Sequence, residues 1–324
     1  MSNTILVTGA AGYIGSIATE ILLQEGYNVI ALDDLSTGYK EVLFDLVPFY
    51  NTSCGNIDEL KTIFSKNKID VVLHFAGAAL VPESVKNPFK YFNINFCQAQ
   101  NLLDVMTLFN IKKFIFSSTC AIYGIPKPEE IPLRESVQAK PINPYGESKL
   151  LFEKALEWYK KSENLDYIAL RYFNVAGASK NRGERHNPET HLIPLVIKAA
   201  KNKNYELKVY GKDYPTKDGT AIRDYIHVVD LVYAHILAIK ALTNNKKHEN
   251  IYNIGYGHGY SVLEIINSVE EVFKIKIPYK ICEKRPGDPP VLIADSGKIK
   301  EDLNWKPKFN DITEMITSAS KFIE

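Results

Sequence analysis

Thr4-Ile5-Leu6-Val7-Thr8, followed at once by Gly9-Ala10-Ala11-Gly12-Tyr13-Ile14-Gly15, decides how the first half of this chain folds. The first five residues show no polar alternation, which predicts a short strand covered on both faces. Glycines then recur at 9, 12 and 15, and a helical stretch runs from about Gly15 to Glu25. Strand, glycine turn and helix in that order bring backbone amides and a helix N-terminus close to a pyrophosphate, because no side chain stands in the way. Gly9, Gly12, Tyr13, Ile14 and Gly15 are therefore candidate contacts to a dinucleotide.

Outward from this turn the pattern repeats. Asn28–Leu32, Asp70–Phe75, Lys113–Ser118 and Asp166–Leu170 are further strand candidates, and helical stretches near Phe92–Leu108 and Tyr145–Lys161 separate the later ones. Such alternation predicts an α/β chain built on a doubly wound parallel sheet, the Rossmann arrangement. After about Asn174 loops dominate, with short helices near Leu192–Lys201, Asp230–Ala241 and Ser261–Val272. The expected organisation is a dinucleotide-binding domain over 1–174 and a smaller α/β domain over 175–324, with some segments of the latter returning to the sheet. The chain's 324 residues exceed what one hydrophobic core usually serves.

Composition narrows the partners. A net charge of +1 gives no basic field for nucleic acid or an anionic membrane, and no run approaches the length of a membrane span. Met1–Thr4 carries no basic region, so no secretory leader is expected. Cys54, Cys97, Cys120 and Cys282 lack CxxC spacing, which points away from zinc and from a disulfide framework and toward free thiols in a reducing cytoplasm. No metal is expected.

Asp33 ends the second strand, where an acid can accept both hydroxyls of an adenosine ribose. Asp34 beside it adds repulsion toward a 2′-phosphate, so NAD is expected rather than NADP. Ser117-Ser118-Thr119 closes another strand, at the end where ligands meet such a sheet. In Asn143-Pro144-Tyr145-Gly146-Glu147-Ser148-Lys149 the asparagine caps a helix and the proline starts it, so Tyr145 and Lys149 share one face. A free tyrosine is a poor base near neutral pH. A nearby ammonium, the helix N-terminus and an oxidised nicotinamide would all favour its phenolate, with Thr119 bonding the same oxygen.

These motifs together resemble an extended short-chain dehydrogenase/reductase, and further blocks resemble the UDP-glucose 4-epimerases from end to end. The blocks are Phe75-Ala76-Gly77, Val85-Lys86-Asn87-Pro88, Leu170-Arg171-Tyr172-Phe173-Asn174, His191-Leu192-Ile193-Pro194, Asp218 to Val228, and Arg285-Pro286-Gly287-Asp288. The resemblance implies 4-epimerisation of UDP-glucose and UDP-galactose through a 4-keto sugar, on tightly held NAD. It makes Thr119, Tyr145 and Lys149 catalytic. It sets Asp33, Asn56, Ile57, Phe75, Ala76, Gly77, Asn95 and Tyr172 around the cofactor, and Asn174, His191, Leu192, Arg223, Arg285 and Asp288 around the UDP-sugar. Leu292 falls where side-chain size is expected to govern acceptance of a 2-acetamido group. Asn56, Asp34, Ala79 and Cys97-Gln98-Ala99 depart from the commonest family pattern. A UDP-pentose or UDP-uronate 4-epimerase, or a non-catalytic NAD-binding module, are the alternatives. Apolar residues spread round the helices bearing Leu102 and Leu156 predict a homodimer.

Overall fold

The computed structural model describes residues 2–285 and 287–323. Contacts divide the chain into two compact units, neither of them continuous in sequence. The first comprises 1–122, 141–171 and 232–252; the second comprises 123–140, 172–231 and 253–324. Residues 123–140, which fall inside 1–174, thus cluster with the second unit, and 232–252 return to the first.

A seven-stranded sheet carries the first unit. Its spatial order is Ile251–Ile254, Asp166–Tyr172, Lys113–Thr119, Val71–His74, Thr4–Thr8, Asn28–Asp33 and Phe49–Asn51. Thr4–Thr8 pairs in parallel with both Asn28–Asp33 and Val71–His74, and the latter pairs in parallel with Lys113–Thr119. Chain order reverses between Thr4–Thr8 and Val71–His74, and the carboxyl ends at such a reversal are where parallel sheets meet ligands. The residues that follow these two strands are Gly9 and Phe75-Ala76-Gly77.

Both faces of the sheet are buried, as its uninterrupted apolar runs require. On one face Leu6, Ile30, Val72 and Phe116 pack with Leu60 and Phe64 of helix Ile57–Lys66, Leu102 and Met106 of helix Ala99–Leu108, and Phe152 and Leu156 of helix Pro144–Glu163. The stretch expected as one helix over 92–108 is interrupted by a π-helical segment, Asn93–Gln98, which is where Asn95 and the Cys97-Gln98 departure lie.

The second unit is built from short pieces. Asn174–Ala176 pairs with Tyr225–His227, Leu207–Tyr210 pairs with Tyr279–Cys282, and Ile222–Arg223 lies between Tyr260–Ser261 and Val291–Leu292. Helices Leu192–Lys201 and Ile312–Ala319 pack on Val262–Phe273. That last helix opens with a capping box: Ser261 Oγ accepts from Glu264 N, and the Glu264 carboxylate accepts from Ser261 N.

Candidate active site

The glycine turn is shaped by backbone contact. Gly9 has φ +70, and a Cβ on it would lie 2.6 Å from Ala76 N. A Cβ on Gly15 would lie 2.0 Å from Gly9 O, so both positions exclude any side chain. Helix Tyr13–Gln24 starts at Gly12 with no side-chain cap, which leaves the amides of Ile14 and Gly15 for an external anion. Asp33 is buried beside the turn. One carboxylate oxygen accepts from Ala11 N at 2.9 Å and the other from Leu35 N at 2.8 Å. Burial raises its pKa, and those two bonds oppose the rise. Each oxygen retains a lone pair for a further donor. Asp34 is exposed, its Oδ1 accepting from Ser36 N. A cradle too tight for a Cβ, an uncapped helix start and a bidentate acid fit a dinucleotide.

Other expected cofactor residues serve the scaffold visibly. The Asn56 side-chain oxygen accepts from Glu59 N at 3.2 Å, capping helix Ile57–Lys66, whose first residue Ile57 is 40% exposed. Asn95 is buried; its Oδ1 accepts from Ala78 N at 2.8 Å and its Nδ2 donates to Ser148 Oγ at 3.1 Å. It therefore ties the loop after Val71–His74 to the helix of Tyr145 and Lys149. Phe75 packs against His235 with ring centroids 4.8 Å apart.

Asn143 caps helix Pro144–Glu163 by accepting from Gly146 N at 2.9 Å, with Pro144 in the first turn. A Cβ on Gly146 would come within 2.7 Å of Ala121 O, so this turn lies hard against the chain just beyond Thr119. Tyr145 is half-buried, and the Thr119 hydroxyl bonds its phenol oxygen. Lys149 is 4% exposed; its Nζ donates to Ser117 O at 3.0 Å and lies 4.9 Å from the Phe116 ring centroid. A Cβ on Gly77 would lie 3.2 Å from that Nζ, which places the ammonium against the Phe75-Ala76-Gly77 loop. The three expected catalytic residues are thus brought together.

Burial acts on both titratable groups of this cluster. Burial pushes the Tyr145 phenol up to about 12, and the bond from Thr119 only partly offsets it. Burial also pushes Lys149 down to about 8, with Glu153 pulling the other way. Glu153 was not singled out from the sequence, although it stands four residues after Lys149, one helical turn on. It is buried, accepts from Ser118 Oγ at 2.5 Å and from Arg171 NH2 at 2.6 Å, and so braces the Ser-Ser-Thr strand end.

The second unit gathers most of the expected sugar-nucleotide residues. Arg223 NH2 meets Asp288 Oδ1 at 2.5 Å, and Arg223 NH1 donates to Ile222 O at 2.8 Å. The Arg285 guanidinium carbon sits 4.2 Å from the Tyr210 ring centroid. Both arginines act on the nearby Tyr214, lowering a phenol pKa that burial raises. Leu292 is 7% exposed and pairs in register with Arg223. Tyr172 ends its strand half-buried, and Asn174 begins the next, donating from its backbone to Asp224 O. Pro286 lies outside the described residues. His191 precedes Leu192, the first residue of its helix; it contacts Glu184 and Glu189, each at 2.8 Å. Burial opposes the imidazolium, but these bonds outweigh it and raise His191 to about 10. Glu184, Glu189 and His186, which surround His191, carry no signal in the sequence that would single them out.

The family described as NAD dependent epimerase/dehydratase matches residues 5–255. The UDP-glucose 4-epimerase of Lacticaseibacillus casei is 46% identical over 318 residues, which cover 98% of this chain and 95% of that protein. The UDP-glucose 4-epimerase of Brucella ovis, solved in complex with NAD, superposes with a TM-score of 0.95 at 40% identity, covering 99% of this chain and 98% of its own. That of Bifidobacterium longum, solved with NAD+ and UDP, gives 0.92 at 38% identity, over 99% of this chain and 98% of its own. With the glycine cradle, the Thr-Tyr-Lys cluster and these likenesses in agreement, the chain belongs to the NAD dependent epimerase/dehydratase family.

Proposed function

We propose that this chain interconverts UDP-glucose and UDP-galactose by oxidising C4 of the sugar and reducing it again from the opposite face. One observation carries this: Tyr145 accepts a bond from Thr119 while Lys149, one turn along the same helix, is fixed on the Ser117 carbonyl. Bound NAD supplies a reversible acceptor for the hydrogen at C4 and, when oxidised, a positive charge that favours the Tyr145 phenolate.

Each residue then has a definite task. The amides after Gly12 take the pyrophosphate, Asp33 takes the adenosine ribose hydroxyls, and Asp34 repels a 2′-phosphate. Asn56, Ile57, the Phe75-Ala76-Gly77 loop, Asn95 and Tyr172 border the cofactor. Tyr145 removes the proton of the C4 hydroxyl and returns it after the 4-keto sugar has turned over. Thr119 donates to the tyrosine oxygen, steadying its anion. Lys149 has two donors left beyond Ser117 for a cofactor hydroxyl, and its charge favours the phenolate once the site is filled. Arg223 and Arg285 hold the diphosphate, since forked, permanently charged donors suit it. Asn174, His191, Leu192 and Asp288 contact the UDP-sugar, and Leu292 bounds the sugar. Anchoring through the nucleotide leaves the hexose free to present either face.

We further infer that the chain works in the cytoplasm as a homodimer. Its four cysteines are free thiols. Phe89 is 77% exposed, Leu108 67% and Trp158 67%, on helices that also bury apolar side chains such as Tyr91, Leu102 and Leu156. A second copy would cover them.

The test is a substrate panel: purified chain incubated separately with UDP-galactose, UDP-N-acetylgalactosamine, UDP-xylose and UDP-galacturonate. Conversion of UDP-galactose to UDP-glucose is expected to be fastest. Turnover confined to the pentose or uronate would replace this proposal, and no turnover at all would leave a binding module.

A further inference from the structure

Glu184, His186, Glu189 and His191 form the one cluster among the described residues whose donor atoms could close on a metal ion. They sit in a short stretch just before helix Leu192–Lys201, outside the glycine cradle and the Tyr145 cluster, and of the four only His191 is also assigned to the UDP-sugar. The Nδ1 atoms of His186 and His191 both lie 2.8 Å from one oxygen of Glu184, and a Glu189 oxygen lies 2.8 Å from the His191 Nδ1. One donor atom from each residue can be chosen so that all four fall within 4.8 Å of one another.

The stretch is built rather than merely crowded. Glu184 is only 6% exposed, and its chain neighbour Gly183 packs so tightly on Phe322 that a Cβ there would lie 2.5 Å from the ring. The two imidazoles lie tilted at 45° to one another with centroids 5.1 Å apart. Two rings turned by their Nδ1 atoms toward one buried carboxylate oxygen, with a second carboxylate alongside, gather four donors in one place. In a tetrahedral zinc site with bonds of about 2.0–2.2 Å, neighbouring donors stand about 3.4 Å apart. The observed separations, 2.8 Å for the bonded pairs and 4.8 Å at most, bracket that spacing.

We propose that Glu184, His186, Glu189 and His191 bind one divalent transition cation of the zinc type. Two imidazole nitrogens and two carboxylate oxygens suit zinc better than calcium or magnesium, which take oxygen ligands almost entirely. With four protein ligands the site is closed, so its work is structural. The ion would take the place of the Nδ1 hydrogens, lock the stretch from Glu184 to His191, and fix where the following helix begins. Cysteine spacing, the usual sequence signal for zinc, plays no part in it.

The test uses the full-length chain, stripped with a chelator and then dialysed against Zn2+. One tightly held equivalent per chain is expected, together with a higher Tm than the stripped protein shows. Co2+ supplied instead is expected to give the intense visible absorption of a tetrahedral site. Both signals should be lost in His186→Ala and in Glu184→Gln. Stripped and loaded native chains are compared with each other, so the Tm and cobalt results do not depend on a variant folding. No stoichiometric zinc, a faint octahedral cobalt spectrum, or zinc retained undiminished by folded His186→Ala would each overturn the proposal and leave a hydrogen-bonded His-Glu cluster only.

Discussion

Lys149 donates from Nζ to the carbonyl oxygen of Ser117 at 3.0 Å, joining the helix of Tyr145 to the strand that ends in Thr119. The bond is made by an ammonium that is almost wholly buried, and burial lowers its pKa from 10.5 to about 8. Between those two values the unfolded chain holds a proton here that the folded chain has released. Stability from this position therefore rises as pH climbs through the window, and the burial cost is at full size below it. The gap is worth about 3 kcal/mol at most. In the cofactor-free chain, Lys149→Met is expected to be more stable than the parent at a pH of about 7 and to lose that advantage near pH ~10, while turnover collapses and NAD binding weakens. Urea unfolding at the two pH values measures this; equal stability at the lower one would contradict it.

Tyr145→Phe removes the oxygen that Thr119 bonds and little else from the half-buried site. Loss of a general base costs about 10²–10⁴-fold in rate. Turnover is expected to fall by that order with UDP affinity nearly unchanged, as read by steady-state kinetics and by calorimetric titration with UDP. A rate near the parent's would show that another group takes the proton.

Arg223 is held by Asp288 at 2.5 Å, whereas Arg285 rests on the Tyr210 ring. Both are expected to bind the diphosphate, and each charge-assisted contact is worth about 1.5–3 kcal/mol. Arg223→Ala and Arg285→Ala should therefore raise KM about tenfold or more with kcat much less affected. Arg223→Ala should also cost some folding stability, because it strands the Asp288 carboxylate. A fall in kcat at unchanged KM would place these arginines in a different role.

Leu292 is buried and paired in register with Arg223, so a change in its volume is felt locally. Leu292→Cys should raise activity on UDP-N-acetylglucosamine relative to UDP-galactose, and Leu292→Tyr should suppress it while sparing UDP-galactose. The ratio of the two kcat/KM values across the three proteins is the measurement, and a flat ratio would mean that Leu292 does not bound the sugar.

What was legible in the sequence is what local rules dictate. The glycine turn and the Tyr145–Lys149 pair follow from spacing along one strand, one turn and one helix, and the structure keeps them within a residue or two of expectation. Asp33 follows from its place at a strand end. Glu153 and Arg171 were missed as a pair because a helix and a strand meet there only after folding. Phe49–Asn51 and the two-residue strands of the second unit are too short to carry a period. The charges near Tyr145 could be read from the sequence, but its burial could not, and burial sets the sign of its shift. Glu184, His186 and Glu189 carry no cysteine-type spacing, and only the loop's path brings them to His191.

The central claim is that C4 of one bound sugar is oxidised and reduced again without the hydrogen leaving the site. UDP-galactose carrying deuterium at C4, incubated with the purified chain in ordinary water and no added nicotinamide, tests this most directly. The UDP-glucose formed is expected to retain the deuterium at C4, and denatured protein should release NAD. Deuterium washed out to solvent, or strict dependence on added NADPH, would contradict the account.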